Sequence, residues 1–298
     1  MRANELKIKD IIDPEEVQAK LNKELRLLED RFVAVAMDYQ FYMDSSWKEK
    51  EIFKLRNNLT YRMSIIHYHL KLLVLQEISI KNHLESLVRI NSPLSFLDSQ
   101  DNLIFGLYDS IIFHVCSLWD YVATITHFIL GTKRPIKWSS LVKSVRDRNN
   151  PLSASTLAET LIKIDHNLLQ DLYGYRSLII HETAELGSSP ITYEVKSAKV
   201  TPQYFTTVRH NNRIKHFKPI GKQYSITIKY AAFWIMFESI RNLTDILFSL
   251  DDYMVANQKV TSHFMFLSGK DGTQEPVSTQ YWHRKEYPDR PTDDLGFF

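Results

Sequence analysis

The sequence predicts a mainly α-helical protein: an antiparallel helical bundle with an N-terminal helical extension and a small β-hairpin insertion. Two observations carry this prediction. Glycine and proline are scarce, with 8 and 10 copies in 298 residues, which favours long helices over a loop-rich or all-β chain. Apolar residues also recur at steps of three and four along most of the sequence, which is the period of an amphipathic helix.

Six segments show this helical period. The first begins at Pro14, a residue that is favoured in the first turn of a helix. The string NSPLSFLDSQDN at 91–102 is expected to break the pattern through Pro93 and several cap-forming residues. Gly174 is expected to interrupt or kink the path that follows the fifth segment. The predicted helices span approximately 14–35, 47–88, 103–130, 138–147, 157–172 and 229–257.

Between residues 190 and 228 the apolar period changes from helical to alternating. The strings ITYEV, QYFTTV and YSITI have the pattern of strands, and Asn211 with Asn212 offers a hairpin turn. The sequence therefore predicts an N-terminal helical region at 1–100 and a helical bundle at 101–257, with the β insertion at about 190–228. A polar tail at 258–298 is expected to lie extended on the surface or to be poorly ordered.

The composition narrows the classes of protein that the chain can belong to. A formal net charge of +2 is too small to indicate a nucleic-acid partner by itself. The single cysteine, Cys116, rules out a disulfide within the chain and is expected to serve packing. No apolar run approaches the ~18 residues of a membrane span and no signal peptide is evident, so we expect a cytoplasmic protein without membrane association.

No familiar cofactor motif is present. The cysteine and histidine spacings fit no zinc site, and the sequence contains neither a glycine-rich phosphate loop nor a serine nucleophile elbow. We therefore expect no metal and no cofactor.

The candidate catalytic residues lie in a seven-residue string that has a similar copy earlier in the chain. YRSLIIH occupies 175–181, and YRMSIIH occupies 61–67. A bare arginine–histidine pair is a weak signal, because chance alone yields such pairs. The residue one turn before the histidine distinguishes the copies: Ser177 can orient an imidazole, whereas Met63 cannot. We therefore treat the resemblance between the copies as a coincidence and the later copy as the candidate site.

In the later copy, Arg176, Ser177 and His181 form a polar stripe on an otherwise apolar helix. Ser177 and His181 are four residues apart and share a face, and the long side chain of Arg176 can reach that face. Such a stripe is costly to bury without partners, so we expect it to line a cleft or an interface. The alternative is an ordinary structural pair on a helix surface.

The order of these features resembles the HEPN superfamily, the helical domains named for higher eukaryote and prokaryote nucleotide binding. In that family a long helix, often with an aliphatic–Asp–Tyr segment, precedes a helix bearing arginine, a polar residue and histidine. SLWDYVATI at 117–125, with Asp120 and Tyr121, is similar to the first segment, and YRSLIIHE at 175–182 is similar to the second. Ser177 stands where active members usually carry Asn, Asp or His. The resemblance covers about 102–187 and the last long helix.

The resemblance implies a metal-independent endoribonuclease that pairs two copies of the motif across a homodimer interface, as a toxin or defence effector. Arg176 would hold phosphate and stabilise transition-state charge, His181 would act as general acid and base, and Ser177 would assist. The expected product is a 2′,3′-cyclic phosphate.

The substrate-binding residues predicted beside the motif are Tyr175, Arg146 and Arg148. The two arginines belong to KSVRDR at 143–148, whose charges can guide an RNA backbone or simply be solvated. RNA is thus the expected partner, together with a second copy and an antitoxin or nucleotidyltransferase. Two alternatives stay open: a catalytically silent domain that binds RNA, a nucleotide or a protein, and a plain helical interaction protein.

Overall fold

The computed structural model describes ten stretches of the chain, and the fold below refers to them alone. They are residues 7–11, 13–44, 50–87, 94–131, 134–181, 191–196, 199–208, 213–259, 266–268 and 274–276. The chain divides into two compact units, each assembled from three separate segments. The first unit comprises Met1–Gln18, Ser64–Cys116 and Asn167–Phe237, and the second comprises Ala19–Met63, Ser117–His166 and Glu238–Phe298. The consecutive domains expected at 1–100, 101–257 and 258–298 stay a prediction.

The described residues are mainly helical, which confirms the predicted fold class at that level. Three helices exceed 28 residues, so at about 1.5 Å per residue the longest extends roughly 55 Å. A π-helical turn at Tyr39–Met43 follows the first helix, and a 3-10 turn occupies Pro151–Ala154. The α-helices are α1 (Pro14–Asp38), α2 (Glu51–Leu87), α3 (Leu94–Ile129), α4 (Trp138–Arg146), α5 (Thr156–Ile164), α6 (Gln170–His181), α7 (Phe217–Gly221) and α8 (Ile228–Ala256).

Two predicted helix interruptions were wrong. Helix α3 begins at Leu94, so most of the expected break at 91–102 is helical. A proline directly before a helix disturbs no helical hydrogen bond, and Pro93 precedes the first residue of α3. Helix α6 also continues through Gly174, because a single glycine costs a helix only about 1 kcal/mol. The departure from α-helical geometry lies earlier, in the π-helical turn Asp165–Leu169 that joins α5 to α6.

The β insertion exists, and its pairing agrees with the prediction in part. The predicted approach of the second and third strands is present as an antiparallel bridge between Thr207 and Thr227, whereas the longer ladders pair other segments. Strands β2 (Ile191–Lys196) and β3 (Lys199–Tyr204) form an antiparallel hairpin. Strand β4 (Ser225–Ile226) pairs in parallel with β1 (Ile8–Lys9). The turn predicted at Asn211 and Asn212 lies outside the described residues. Helix α7 was missed, although its first residue, Phe217, is fully buried.

The C-terminal region contains a short antiparallel hairpin of β5 (Phe266–Ser268) and β6 (Gln274–Pro276). Residues 258 and 259 of the predicted polar tail are also described, and the rest of that tail lies outside the described residues.

Part of α3, Gln100–Ile129, is long and apolar enough to cross a membrane by length and composition alone, although half of its most apolar window is buried within the protein. The core helix of a soluble protein passes the same test. The cytoplasmic location therefore stays a prediction.

We expect the environment of His216, directly before α7, to make stability depend on pH. Its imidazole stacks on the Trp234 indole with ring centroids 4.1 Å apart and planes 10° from parallel. Burial, together with the charge of Lys9, lowers the pKa of His216 to about 4. Because the unfolded chain takes up this proton near pH ~6.5, the stabilisation is present above that pH and is lost as the pH falls towards 4.

We expect His216 to contribute a decrease in the free energy of unfolding between pH 6.5 and pH 4. Over this interval the wild type should therefore lose more stability than a His216→Phe variant, which keeps an aromatic ring against Trp234. Urea unfolding at several pH values in this interval measures both slopes. Equal slopes for the two proteins would show that His216 does not carry the effect.

Candidate functional site

Helix α6 presents the candidate residues on one side and packs into the first unit with the other. Leu172, Tyr175 and Leu178 are buried, whereas Ser177 and His181 are exposed. The helix is attached to α3 by a hydrogen bond from the Tyr173 hydroxyl to the carbonyl oxygen of Cys116, 3.1 Å long. Cys116 itself is fully buried, as its apolar surroundings predicted.

Arg176 lies at the edge of this exposed side and is half-buried. Its guanidinium carbon lies 5.7 Å from the centroid of the Phe113 ring of α3, a cation–π contact. The Nε atom is buried, and among the described residues it has no hydrogen-bond acceptor. No aspartate or glutamate among the described residues forms an ion pair with Arg176. An aromatic ring thus holds a permanently charged group in place, and no carboxylate among the described residues neutralises it. The exposed part of the Arg176 side chain therefore suits an anion.

Ser177 and His181 lie one helical turn apart and are both exposed to solvent. The Ser177–His181 hydrogen bond that the spacing suggested is not formed within the described part of the chain. The imidazole of His181 is consequently free to meet a ligand but is not oriented by Ser177.

Tyr175 does not accompany the other candidate residues. It is 1% exposed, and its ring packs at 66° to the Tyr108 ring, with centroids 6.1 Å apart. It follows Gly174 by one position and faces away from Ser177. The structure therefore places Tyr175 in the core, and its substrate-binding role stays a prediction.

Arg146 and Arg148 belong to the second unit. Arg146 forms an ion pair of 2.6 Å with Asp165, whose other carboxylate oxygen accepts a 3.0 Å hydrogen bond from the Trp138 indole. Trp138 is itself buried against Trp119. Arg146 thus has a structural partner, whereas Arg148 is exposed.

The segment that resembles the aliphatic–Asp–Tyr motif also makes structural contacts within the second unit. Asp120 accepts a 3.0 Å hydrogen bond from the backbone N–H of Trp138 and so fixes the beginning of α4. The ring of Tyr121 lies 5.8 Å from the guanidinium carbon of Arg62, the arginine of the earlier motif copy. The histidine of that copy, His67, has its pKa lowered by burial and by the charge of Lys71.

Sequence reasoning missed the contributions of α3 to the first unit. Phe113 supports Arg176, and the next residue, His114, stacks on His69 of α2 with ring centroids 5.3 Å apart. Burial lowers the pKa of His69. No local signal in the sequence pairs Phe113 with Arg176, because the two residues lie 63 positions apart.

No group of three or more histidine, cysteine or acidic side chains suited to a metal ion occurs within the described stretches. The chain also has no significant match to a protein-family model, a curated protein or a solved structure. The site must therefore be interpreted from its own geometry.

Proposed function

We propose that the protein is a HEPN-like, metal-independent endoribonuclease that acts as a homodimer. The observation that carries the proposal is the half-buried Arg176 guanidinium, which rests on Phe113 without a carboxylate among the described residues. A phosphodiester supplies the missing negative charge, and a guanidinium can stabilise the additional charge of the transition state. A toxin or defence role, with an antitoxin or nucleotidyltransferase partner, belongs to the same proposal.

His181 supplies the second group that the reaction needs. An exposed imidazole can accept the proton of a ribose 2′-hydroxyl, whose oxygen attacks the adjacent phosphorus. The P–O5′ bond breaks, and the leaving oxygen takes up a proton. One imidazole does not easily perform both transfers in a single step, so two protomers that each contribute His181 solve the problem.

We expect the purified protein to cleave single-stranded RNA in the presence of EDTA and to leave 2′,3′-cyclic phosphate ends. His181→Ala and Arg176→Ala should each lower the cleavage rate by about 100-fold or more, with unchanged circular dichroism. His166→Ala and Arg213→Ala remove exposed residues of the same types elsewhere and should retain activity. A rate that is the same in wild type and His181→Ala would reveal a contaminating nuclease and reject the proposal.

The second candidate function is binding of RNA or a nucleotide without cleavage. The missing Ser177–His181 hydrogen bond favours it, because an unoriented imidazole is a poor proton shuttle. Filter binding with the same RNA separates the candidates: binding that Arg176→Ala abolishes, without cleavage by the wild type, would establish a catalytically silent domain. If the protein neither binds nor cleaves the RNA, the remaining candidate is a helical interaction protein.

A further inference from the structure

Helix α2 has a second apolar stripe that does not belong to the core. Ile66, Leu70 and Leu73 are fully buried. On the opposite side, the outer seam consists of Ile65, Tyr68, Leu72 and Leu75, all within the first unit. At about 100° per residue, its centre lies roughly 140° around the helix from the buried stripe.

The outer seam is truly at the surface. Tyr68 is 57% and Leu75 is 60% exposed, and Ile65 and Leu72 are partly exposed. A helix that packs on a core with one face ordinarily carries polar residues on the other. Single exposed apolar residues are common, but four in a row along one helix mark a contact surface.

The spacing of the outer seam indicates what kind of surface would cover it. Steps of three, four and three residues are those of the a and d positions of a coiled coil, which receive the side chains of one further helix. The seam is narrow and about 15 Å long over these eleven residues. This shape fits a helix better than a flat protein surface.

Charge distinguishes among the helices that could occupy the seam. Lys71 is exposed beside it, and Lys81 is exposed further along α2. The only acidic residue from 64 to 84 is Glu77, which is engaged in an ion pair of 2.8 Å with Lys229. A second copy of the seam would bring cationic and neutral flanks but no carboxylate for Lys71. Acidic residues beside the apolar stripe of a partner would complement it.

We propose that the outer seam docks an amphipathic helix of a partner protein that carries acidic residues beside its apolar stripe. This inference does not depend on Arg176 or His181 and stands whether or not the protein cleaves RNA.

The experiment uses the full chain and a synthetic 21-residue helical peptide with leucine at a and d positions and glutamate at the flanking positions. A twin peptide carries lysine in place of glutamate. We expect saturable binding of the glutamate peptide in fluorescence anisotropy, and at least tenfold weaker binding of the lysine peptide. Leu72→Glu and Tyr68→Ala should each weaken binding about tenfold or more. Ile78→Glu should bind as the wild type does, because Ile78 is exposed on α2 but lies about 100° from the seam centre.

A charge reversal sharpens the test. Lys71→Glu should weaken binding of the glutamate peptide and strengthen binding of its lysine twin. Equal affinity for both peptides, no saturable binding, or binding that neither seam variant changes would overturn the proposal. The proposal would also be overturned if sedimentation equilibrium shows that the wild type is a dimer and that Leu72→Glu dissociates it, because a second copy would then occupy the seam. Seam-dependent binding to anionic lipid vesicles would also reject it in favour of a membrane surface.

Discussion

Replacing Lys229 with methionine is expected to destabilise the protein by about 3–5 kcal/mol, because it leaves two carboxylates in a buried site without their cation. Lys229 stands at the beginning of α8 and is 8% exposed. Its ammonium lies 2.8 Å from a carboxylate oxygen of Glu77 in α2 and 3.2 Å from one of Asp10, just beyond β1. Asp10 also accepts a hydrogen bond of 2.6 Å from the Thr227 hydroxyl.

The two carboxylates dominate the electrostatics of this cluster. Burial acts to lower the pKa of Lys229, but Glu77 and Asp10 outweigh burial and raise it. For Glu77, burial and the negative charge of Asp10 together raise the pKa in spite of the nearby Lys229, which lowers it. Removing the ammonium takes away the one attraction that opposes burial, so the pKa of Glu77 should rise further in the variant.

The resulting pH dependence provides a specific test. A carboxyl group with a raised pKa in the folded state binds its proton more tightly when folded, so stability rises as the pH falls towards the ordinary Glu pKa of 4.5. We therefore expect Lys229→Met to recover part of its lost stability between pH 7 and pH 5, as measured by urea unfolding. Lys222→Met, which removes an exposed lysine shortly before α8, should cost less than about 0.5 kcal/mol at either pH. A loss of stability in Lys229→Met that is the same at both pH values would mean that lost packing, not unbalanced charge, is responsible.

The sequence predicted the helices well because their signal is local. The period of three and four residues placed α8 within one residue of its observed bounds at both ends. It also placed α1 correctly at Pro14, where the chain has a recognised start signal. Such patterns depend on neighbours within one or two turns, and these neighbours are visible in the sequence.

Contacts between distant residues could not be predicted in the same way. The cluster of Lys229 joins positions 10, 77 and 229, and Arg176 rests on a phenylalanine 63 positions earlier. The motif at 175–181 could be recognised, but which of its residues turn inward depends on the packing of α6 against α3. Tyr175 shows the consequence: its proximity to Arg176 in the sequence suggested a shared role, whereas the fold places its side chain in the core.

Asp165→Ala is the second substitution for which we expect a large effect, a loss of about 2–3 kcal/mol in the free energy of unfolding. Asp165 is 6% exposed and binds two donors with its two oxygens, the Trp138 indole and the Arg146 guanidinium. The alanine variant leaves the buried indole N–H without this acceptor, and an unsatisfied buried donor costs about 1–3 kcal/mol. It also removes the ion-pair partner of Arg146.

Comparison with Arg146→Met separates the structural role of this arginine from the RNA contact predicted for it. Arg146 is 47% exposed, so solvent weakens its pairing with Asp165, and its replacement should cost at most about 1 kcal/mol. Arg148→Met should leave stability unchanged, since Arg148 is exposed. If Arg146 serves only the fold, both arginine variants bind RNA equally well. Weaker RNA binding by Arg146→Met than by Arg148→Met, at matched stability and salt, would show that the exposed half of the Arg146 guanidinium also contacts the backbone of the nucleic acid. Because each lost phosphate contact reduces the salt dependence of binding, RNA binding by Arg146→Met should then also depend less on salt.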